Sequence, residues 1–431
     1  MLLRLSSSAA RAIIAAFALA LFVALSYSSI RNARAEHFAG LNTLQGFQRA
    51  TKLEPGNARN WYLLGQYLQY SLEGTDTPAA IQAYRNALSF DPHSADTWLD
   101  LATAYEFEGD ATATRNAFLQ AKRSYPLSAE VAWRFGNFLL RQNELEPAFV
   151  ELRHAVEVDP KRGPEAFSRS MRVAPDINLV LDRVLPASPQ AYLPVISGLS
   201  NDGRTDQALT VWARLAALHP HLSLSSSFPL LESLLQKRQF IEARHVWNQA
   251  LEFAGHPPSP DPHGSLLWDG GFESDVFNGG FAWRFPSSVG GVQIAVDSQE
   301  KHSGSRSLRL VFTGRQNINF SDVCQYVDVT PSDTYRFSAW IRTRALTTDQ
   351  GVRFGLHPLG DSALPAVWTD DLRGTQPWTR IELPWTAGKD VRGLLLCVSR
   401  LPSRKFDSLI QGTAWVDDVS LVPESPESLK P

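Results

Sequence analysis

Apolar positions along this chain recur with two periods, and the change falls near residue 256. From about residue 40 to 255 they return every three to four residues in short blocks, the spacing of helices with one buried face. From 265 to 423 they alternate, the spacing of strands with one buried face. Ahead of both, Ala12–Leu25 is an apolar run that Ser26–Ile30 extend without charge. The pattern predicts a multidomain α + β protein: an α-helical array, then an antiparallel β-sandwich, with an apolar N-terminal helix in front.

The helical blocks repeat. Pro92, Pro126 and Pro160 stand 34 residues apart. Five residues before each comes Ala87, Ala121 or Ala155, and three before that Tyr84, Phe118 or Leu152. Further upstream are Trp61-x-x-Leu64-Gly65, Trp98-x-x-Leu101-Ala102 and Ala132-x-x-Phe135-Gly136. A fixed period near 34, with a small residue where two helices touch, predicts stacked helical hairpins whose neighbours supply the core. Leu41–Pro55 reads as the second half of an earlier repeat. The 37-residue step from Pro55 to Pro92 places extra residues in Glu73–Pro78. Lys161–Pro189 reads as degenerate hairpins, and the pattern returns from Tyr192 to Gly255.

These positions together resemble the tetratricopeptide repeat family. The resemblance implies a TPR-like superhelix over 40–255 that binds a protein partner on the face lined by the first helix of each hairpin. Residues expected there are Tyr62, Gln66, Gln69 and Tyr70, then Thr103, Glu106 and Phe107, then Trp133, Asn137 and Arg141. The paired lysine and arginine arrangement that grips a C-terminal carboxylate is not evident.

The N-terminal run is flanked by Arg4 and Arg11 before it and by Arg31 and Arg34 after it. Ala12–Ile30 is 19 residues, enough at ~1.5 Å per residue to cross about 30 Å of hydrocarbon. Residues 1–35 are therefore expected to be a signal-anchor or transmembrane segment. A cleavable signal is the rival, because Ala33-Arg34-Ala35 has the small-x-small form. Charge is similar on both flanks and does not set the orientation. The expectation that the bulk of the chain lies on the outer, periplasmic or extracytoplasmic side rests on the second domain.

Residues 256–264 carry four prolines and are expected to be an extended, fairly stiff joint. After it, strands are expected at 292–296, 307–312, 323–329, 334–342, 352–356, 378–385, 394–398 and 413–422, followed by a tail at 424–431. In Thr334–Arg342, Tyr335, Phe337, Ala339 and Ile341 face one way, and Arg336, Ser338, Trp340 and Arg342 the other. Such a set of short strands fits a sandwich or jelly roll.

Four stretches are similar to the galactose-binding-like, jelly-roll carbohydrate-binding modules: Asp269-Gly270-Gly271-Phe272-Glu273, His302–Leu308, Thr334–Trp340 and Ala414–Leu421. The resemblance implies two sites. One is a structural Ca²⁺ held by Glu273 and Asp417 or Asp418, with carbonyls near Lys301–Gly304; hard oxygen ligands suit that ion. The other is a sugar platform on one sheet face, with Trp340, Arg342, Arg336 and Ser338 at its centre. Arg353, Arg380 and Glu382 would extend it, and Trp283 or Trp368 would close it from loops.

Composition narrows the function. Lys plus Arg number 41 and Asp plus Glu 44, a net charge of −3, which gives no footprint for nucleic acid. Cys324 and Cys397 are the two cysteines; they can bond in an oxidising compartment or remain two buried thiols. No nucleophile elbow, zinc-protease helix or phosphate loop is present, and no catalytic cofactor is implied. The expectation is a non-catalytic, membrane-tethered envelope scaffold that binds protein through the array and carbohydrate through the sandwich. Exopolysaccharide or envelope biogenesis is its expected setting. The alternatives are a purely structural or protein-interaction role and, further off, a carbohydrate-active enzyme.

Overall fold

The computed structural model describes residues 8–71, 75–256, 264–360 and 364–424. Glu73 and Gly74 of the expected insertion, most of the 256–264 joint and the tail from 425 lie outside them. The chain divides into two compact units, Met1–Pro186 and Ala187–Pro431.

The first unit is helical. It runs α1 (Ser8–Gly40), α2 (Leu44–Leu53), α3 (Ala58–Tyr70), α4 (Thr77–Phe90), α5 (Ala95–Phe107), α6 (Ala111–Ser124), α7 (Ala129–Arg141), α8 (Leu145–Val158), α9 (Gly163–Val173) and α10 (Ile177–Arg183). Local chemistry sets the starts: Asn57, Asp76, Ser94, Asp110 and Ser128 each accept from a first-turn N–H with the side chain. The small residues set how closely each hairpin closes. A Cβ on Gly65 would lie 2.6 Å from the Tyr84 ring, and one on Gly136 3.0 Å from Leu152 Cγ. Trp61 and Trp98 each donate from Nε1 to the carbonyl of the proline six residues earlier, at 2.8 and 2.9 Å. The repeat therefore fixes its own turn as well as its core, and the array is TPR-like.

Among the described residues, the second unit holds four more α-helices and the strands. Its helices are α11 (Pro189–Asn201), α12 (Thr205–Ala216), α13 (Phe228–Gln236) and α14 (Phe240–Phe253). Its strands are β1 (Val292–Asp297), β2 (Ser307–Thr313), β3 (Phe320–Asp328), β4 (Thr334–Leu346), β5 (Arg353–Leu359), β6 (Val367–Trp368), β7 (Gly374–Thr386), β8 (Gly393–Arg400) and β9 (Gln411–Pro423). Two antiparallel sheets form, ordered β1-β2-β9-β4-β7 and β3-β8-β5-β6. Phe337 and Phe354 meet across the sandwich at 4.8 Å between ring centroids. Each ring so buried contributes roughly 1.5–3 kcal/mol over leaving it in water.

The change of period near residue 256 is not a boundary between compact bodies, because α13 and α14 pack on the sandwich. Trp247 is fully buried and meets Trp268 edge-on at 5.8 Å and Phe281 at 6.1 Å. A Cβ would lie 2.4 Å from Phe228 if built on Gly279, 2.7 Å from Trp247 on Gly280 and 2.1 Å from Phe240 on Gly393. Arg244 pairs with Asp328 and lies over the Phe281 ring at 3.9 Å. The glycines admit helix side chains right up to the sandwich backbone, which is why this helical hairpin belongs with the strands.

Candidate functional site

The outer face of the five-stranded sheet carries the centre of the expected sugar platform. Tyr335, Phe337, Ala339 and Ile341 point into the core, as alternation requires, so Trp340 points out. Its ring is covered by His302, stacked at 3.9 Å and 17°, with the edge of Trp378 against that imidazole at 5.7 Å. His302 Nδ1 is 2.5 Å from an Asp418 oxygen. Arg342 donates to Glu300 at 2.7 Å, Arg336 pairs with Glu424 and Arg380 with Glu382 at 2.9 Å. Ser338 sits between Glu382 and Ser420 in the strand register. The chain's own turn after β1 thus occupies the centre of this platform. Trp283 is buried and donates to Asp269 O at 2.9 Å, so it closes no site.

The expected calcium ligands do meet. A Cβ on Gly271 would lie 3.6 Å from Glu273 Cγ, 3.7 Å from Asp417 Oδ1 and 3.9 Å from Asp418 Oδ1. Their oxygens, however, accept from donors. Glu273 takes the N–H groups of Ser305 (2.8 Å) and Arg306 (3.1 Å). Asp417 takes those of His302, Ser303 and Asp418. Asp418 takes the Ser303 hydroxyl at 2.6 Å. Among the described residues no group of three or more His, Cys, Asp or Glu is placed to hold a metal ion. These side chains do not fit a calcium cage, because N–H and O–H donors stand where the cation would be. Burial pushes Asp417 up to about 6, with the Asp418 charge adding and the three N–H groups opposing. Burial also raises Glu273, but the Ser305 and Arg306 hydrogen bonds outweigh it and hold it below the usual range.

The outer face of the four-stranded sheet is different. Strand register puts Tyr326, Leu395 and His357 in one row and Cys324, Cys397 and Gly355 in the next. Cys324 and Cys397 are disulfide-bonded. Trp368 on β6 lies against Gly355, where a Cβ would be 2.6 Å from its ring, and His357 meets it edge-on at 5.4 Å. Arg353, on the same face, pairs with Asp371 at 3.1 Å and donates to Gln350 at 2.9 Å. At the far edge Arg284 lies over the Tyr326 ring at 4.8 Å and pairs with Glu232 of α13. Burial lowers His357, which is therefore a neutral imidazole at pH 7. Burial raises Asp371, but hydrogen bonds from Arg373 and Gly351 and the charges of Arg353 and Arg373 prevail and keep it ionised. Arg353 and Trp368 were expected to extend or close the Trp340 platform; they lie on this other sheet. The two-residue strand β6 carried no alternation to reveal it, and Tyr326 and His357 had no signal beyond their parity in β3 and β5.

In the helical unit, the expected partner-binding residues are linked to one another. Tyr62 donates to Asp100 at 3.0 Å and Gln66 to Asp100 at 3.2 Å; Arg134 donates to Asp100 at 3.3 Å and to Thr103 at 2.6 Å. Tyr84 donates to Gln69 at 2.7 Å, and Arg141 binds Glu106 through two bonds of 2.8 and 2.9 Å. Arg169 donates to Asn137 at 2.5 Å, and Trp133 lies beneath Arg162 and Arg169 at 5.4 and 5.0 Å. Burial raises Tyr62 and Tyr70, with the Asp100 charge adding in both. Tyr70 and Phe107, at the ends of α3 and α5, remain exposed. Asp100 and Arg134 were missed, yet the period held the signal: Gln66, Asp100 and Arg134 are 34 residues apart. A cleft of about 490 Å³ also opens between α4, α5 and α6, floored by Leu88, Trp98, Leu101 and Tyr105 and rimmed by Arg85, Asn116 and Gln120.

No family model matches the chain, and no curated protein does. Among solved structures, the helical part is similar to YrrB, a TPR protein with an unusual peptide-binding site, at 16% identity over 49% of this chain and 94% of that one, TM-score 0.27. The strand-rich part is similar to a Family 16 Carbohydrate Binding Module-2, at 17% identity over 36% and 99%, TM-score 0.26. It is also similar to the CBM22-1 xylan-binding domain of Paenibacillus barcinonensis Xyn10C, at 14% identity over 38% and 97%, TM-score 0.26. The fold is a TPR-like helical array followed by an antiparallel two-sheet sandwich.

Proposed function

We propose that the protein is a non-catalytic scaffold of the cell envelope, tethered by α1, that receives a protein on its TPR-like array and a glycan on the outer face of its four-stranded sheet. The observation that carries the glycan reading is Trp368 packed close over Gly355, where no side chain intervenes, with His357, Leu395, Tyr326 and Arg353 on the same face. Sugars offer apolar C–H faces that stack on rings and hydroxyls that need fixed polar partners, and this face supplies both. Asp371, held ionised by Arg353 and Arg373, is not a general acid; its role in this reading is to fix Arg353 on the face. The disulfide supports an oxidising, extracytoplasmic compartment, since such bonds persist there and are rare in the cytosol.

The full-length protein in detergent is expected to be retarded in gels containing a soluble polysaccharide, without consuming it. Free migration in every polysaccharide tried would discard the glycan reading. Turnover of any of them would discard the non-catalytic one. A purely structural role is the second reading, favoured by the covering of Trp340 by His302.

A further inference from the structure

Helix α1 changes character along its length. Up to Ile30 its large side chains are bare: Phe17 is 71% exposed, Phe22 67% and Ile30 62%. The helix is long and apolar enough to cross a membrane, and none of its most apolar window is buried inside the protein. From Arg31 the same helix, unbroken to Gly40, is built into the first hairpin. Ala35 is fully buried, and Ala39 packs on the cluster of Phe47, Leu64 and Ala83. A Cβ on Gly46 of α2 would meet Phe38 O at 2.4 Å, so α2 is seated against the α1 backbone itself. Arg49 of α2 lies over the Phe38 ring at 5.3 Å. With the Asn32 amide turned so that its NH₂ faces Glu54, it donates there, and the other Glu54 oxygen accepts from Asn57 (2.9 Å) and Asn60 (3.4 Å) at the start of α3. Sharp helix kinks occur at proline, glycine pairs or bulges, and residues 11–39 contain no proline or glycine.

We propose that α1 serves as two elements at once. From Ala12 through Ile30 it lies in the acyl chains of a bilayer, and from Arg31 to Gly40 it is the opening helix of the repeat array. The N-terminal segment is then retained in the mature protein, and the array starts at the lipid headgroups with no hinge. Arg31 and Arg34 mark the changeover, where a cation meets phosphate. This inference rests on the membrane reading above. Cleavage after Ala35, at the small-x-small sequence, would remove the fully buried Ala35 and the Asn32 tie to Glu54 from the first hairpin.

The test uses the full-length chain in bacterial membranes, washed with alkaline carbonate and analysed by intact mass after detergent extraction. The expected protein stays in the pellet and still carries the residues before Ala35. A chain that begins at Glu36 overturns retention. A carbonate-soluble chain with those residues intact overturns the bilayer reading instead, so the two failures are distinct. In detergent, Ala35→Glu is expected to lower the midpoint of helical unfolding by several degrees while leaving carbonate resistance unchanged. Asn32→Ala, which removes only the tie to Glu54, should give a smaller drop. Unchanged midpoints for both would take α1 out of the hairpin and overturn the proposal.

Discussion

The two outer faces of the sandwich both tie up their arginines in ion pairs, but they treat their tryptophans differently. On the five-stranded sheet, Trp340 and three arginines of β4 and β7 are each engaged by a partner from the protein itself. On the four-stranded sheet, Trp368 rests on a glycine and its neighbours form a floor. A tryptophan at an outward strand position therefore says that a ring leaves the core. It does not say whether a loop from elsewhere has already taken that ring. Here the covering residue, His302, lies between β1 and β2, while Trp340 belongs to β4.

The contrast can be broken most strongly at the disulfide. Replacing Cys324 and Cys397 by serine opens a closure spanning 73 residues and should cost the sandwich about 2–4 kcal/mol in a denaturant titration. Trp340, on the other sheet, should keep its fluorescence environment in the folded double variant. Next, Trp368→Ala should weaken glycan retention about tenfold, equivalent to ~1.4 kcal/mol, and Trp340→Ala should change it less than about twofold. The reverse ranking in an affinity gel would move the site to the five-stranded sheet. Uncovering Trp340 with His302→Ala gives a smaller effect: a rise in acrylamide quenching of tryptophan fluorescence, with no loss of glycan retention.

The smallest effect is in pH. Asp417 is raised above its ordinary value near 3.8 to about 6, so the folded state holds its proton where the unfolded chain has lost it. Its contribution to stability is greatest below pH 4, declines as pH rises to about 6 and stays low above that. The unfolding free energy of the wild type relative to Asp417→Asn should therefore fall across pH 4–6; a flat difference would contradict the assignment.

Much of the fold could be read from residue spacing. Gly65, Ala102 and Gly136 marked the helix crossings because a crossing excludes a side chain, and proline at 34-residue intervals marked the turns. Tyr335, Phe337, Ala339 and Ile341 marked the core face of β4 because a strand has only two faces. The site was less legible. Whether Trp340 and Trp368 share a surface depends on strand order, which alternation does not contain. Nor did the proline-rich stretch reveal that Trp247 and Phe240 belong with the strands, since contacts of helix with sheet leave no period.

Gly279, Gly280 and Gly393 have a mechanical consequence. Because ring meets backbone at each, load applied to a polysaccharide held on the four-stranded sheet would pass into α13 and α14 directly, without slack to absorb it.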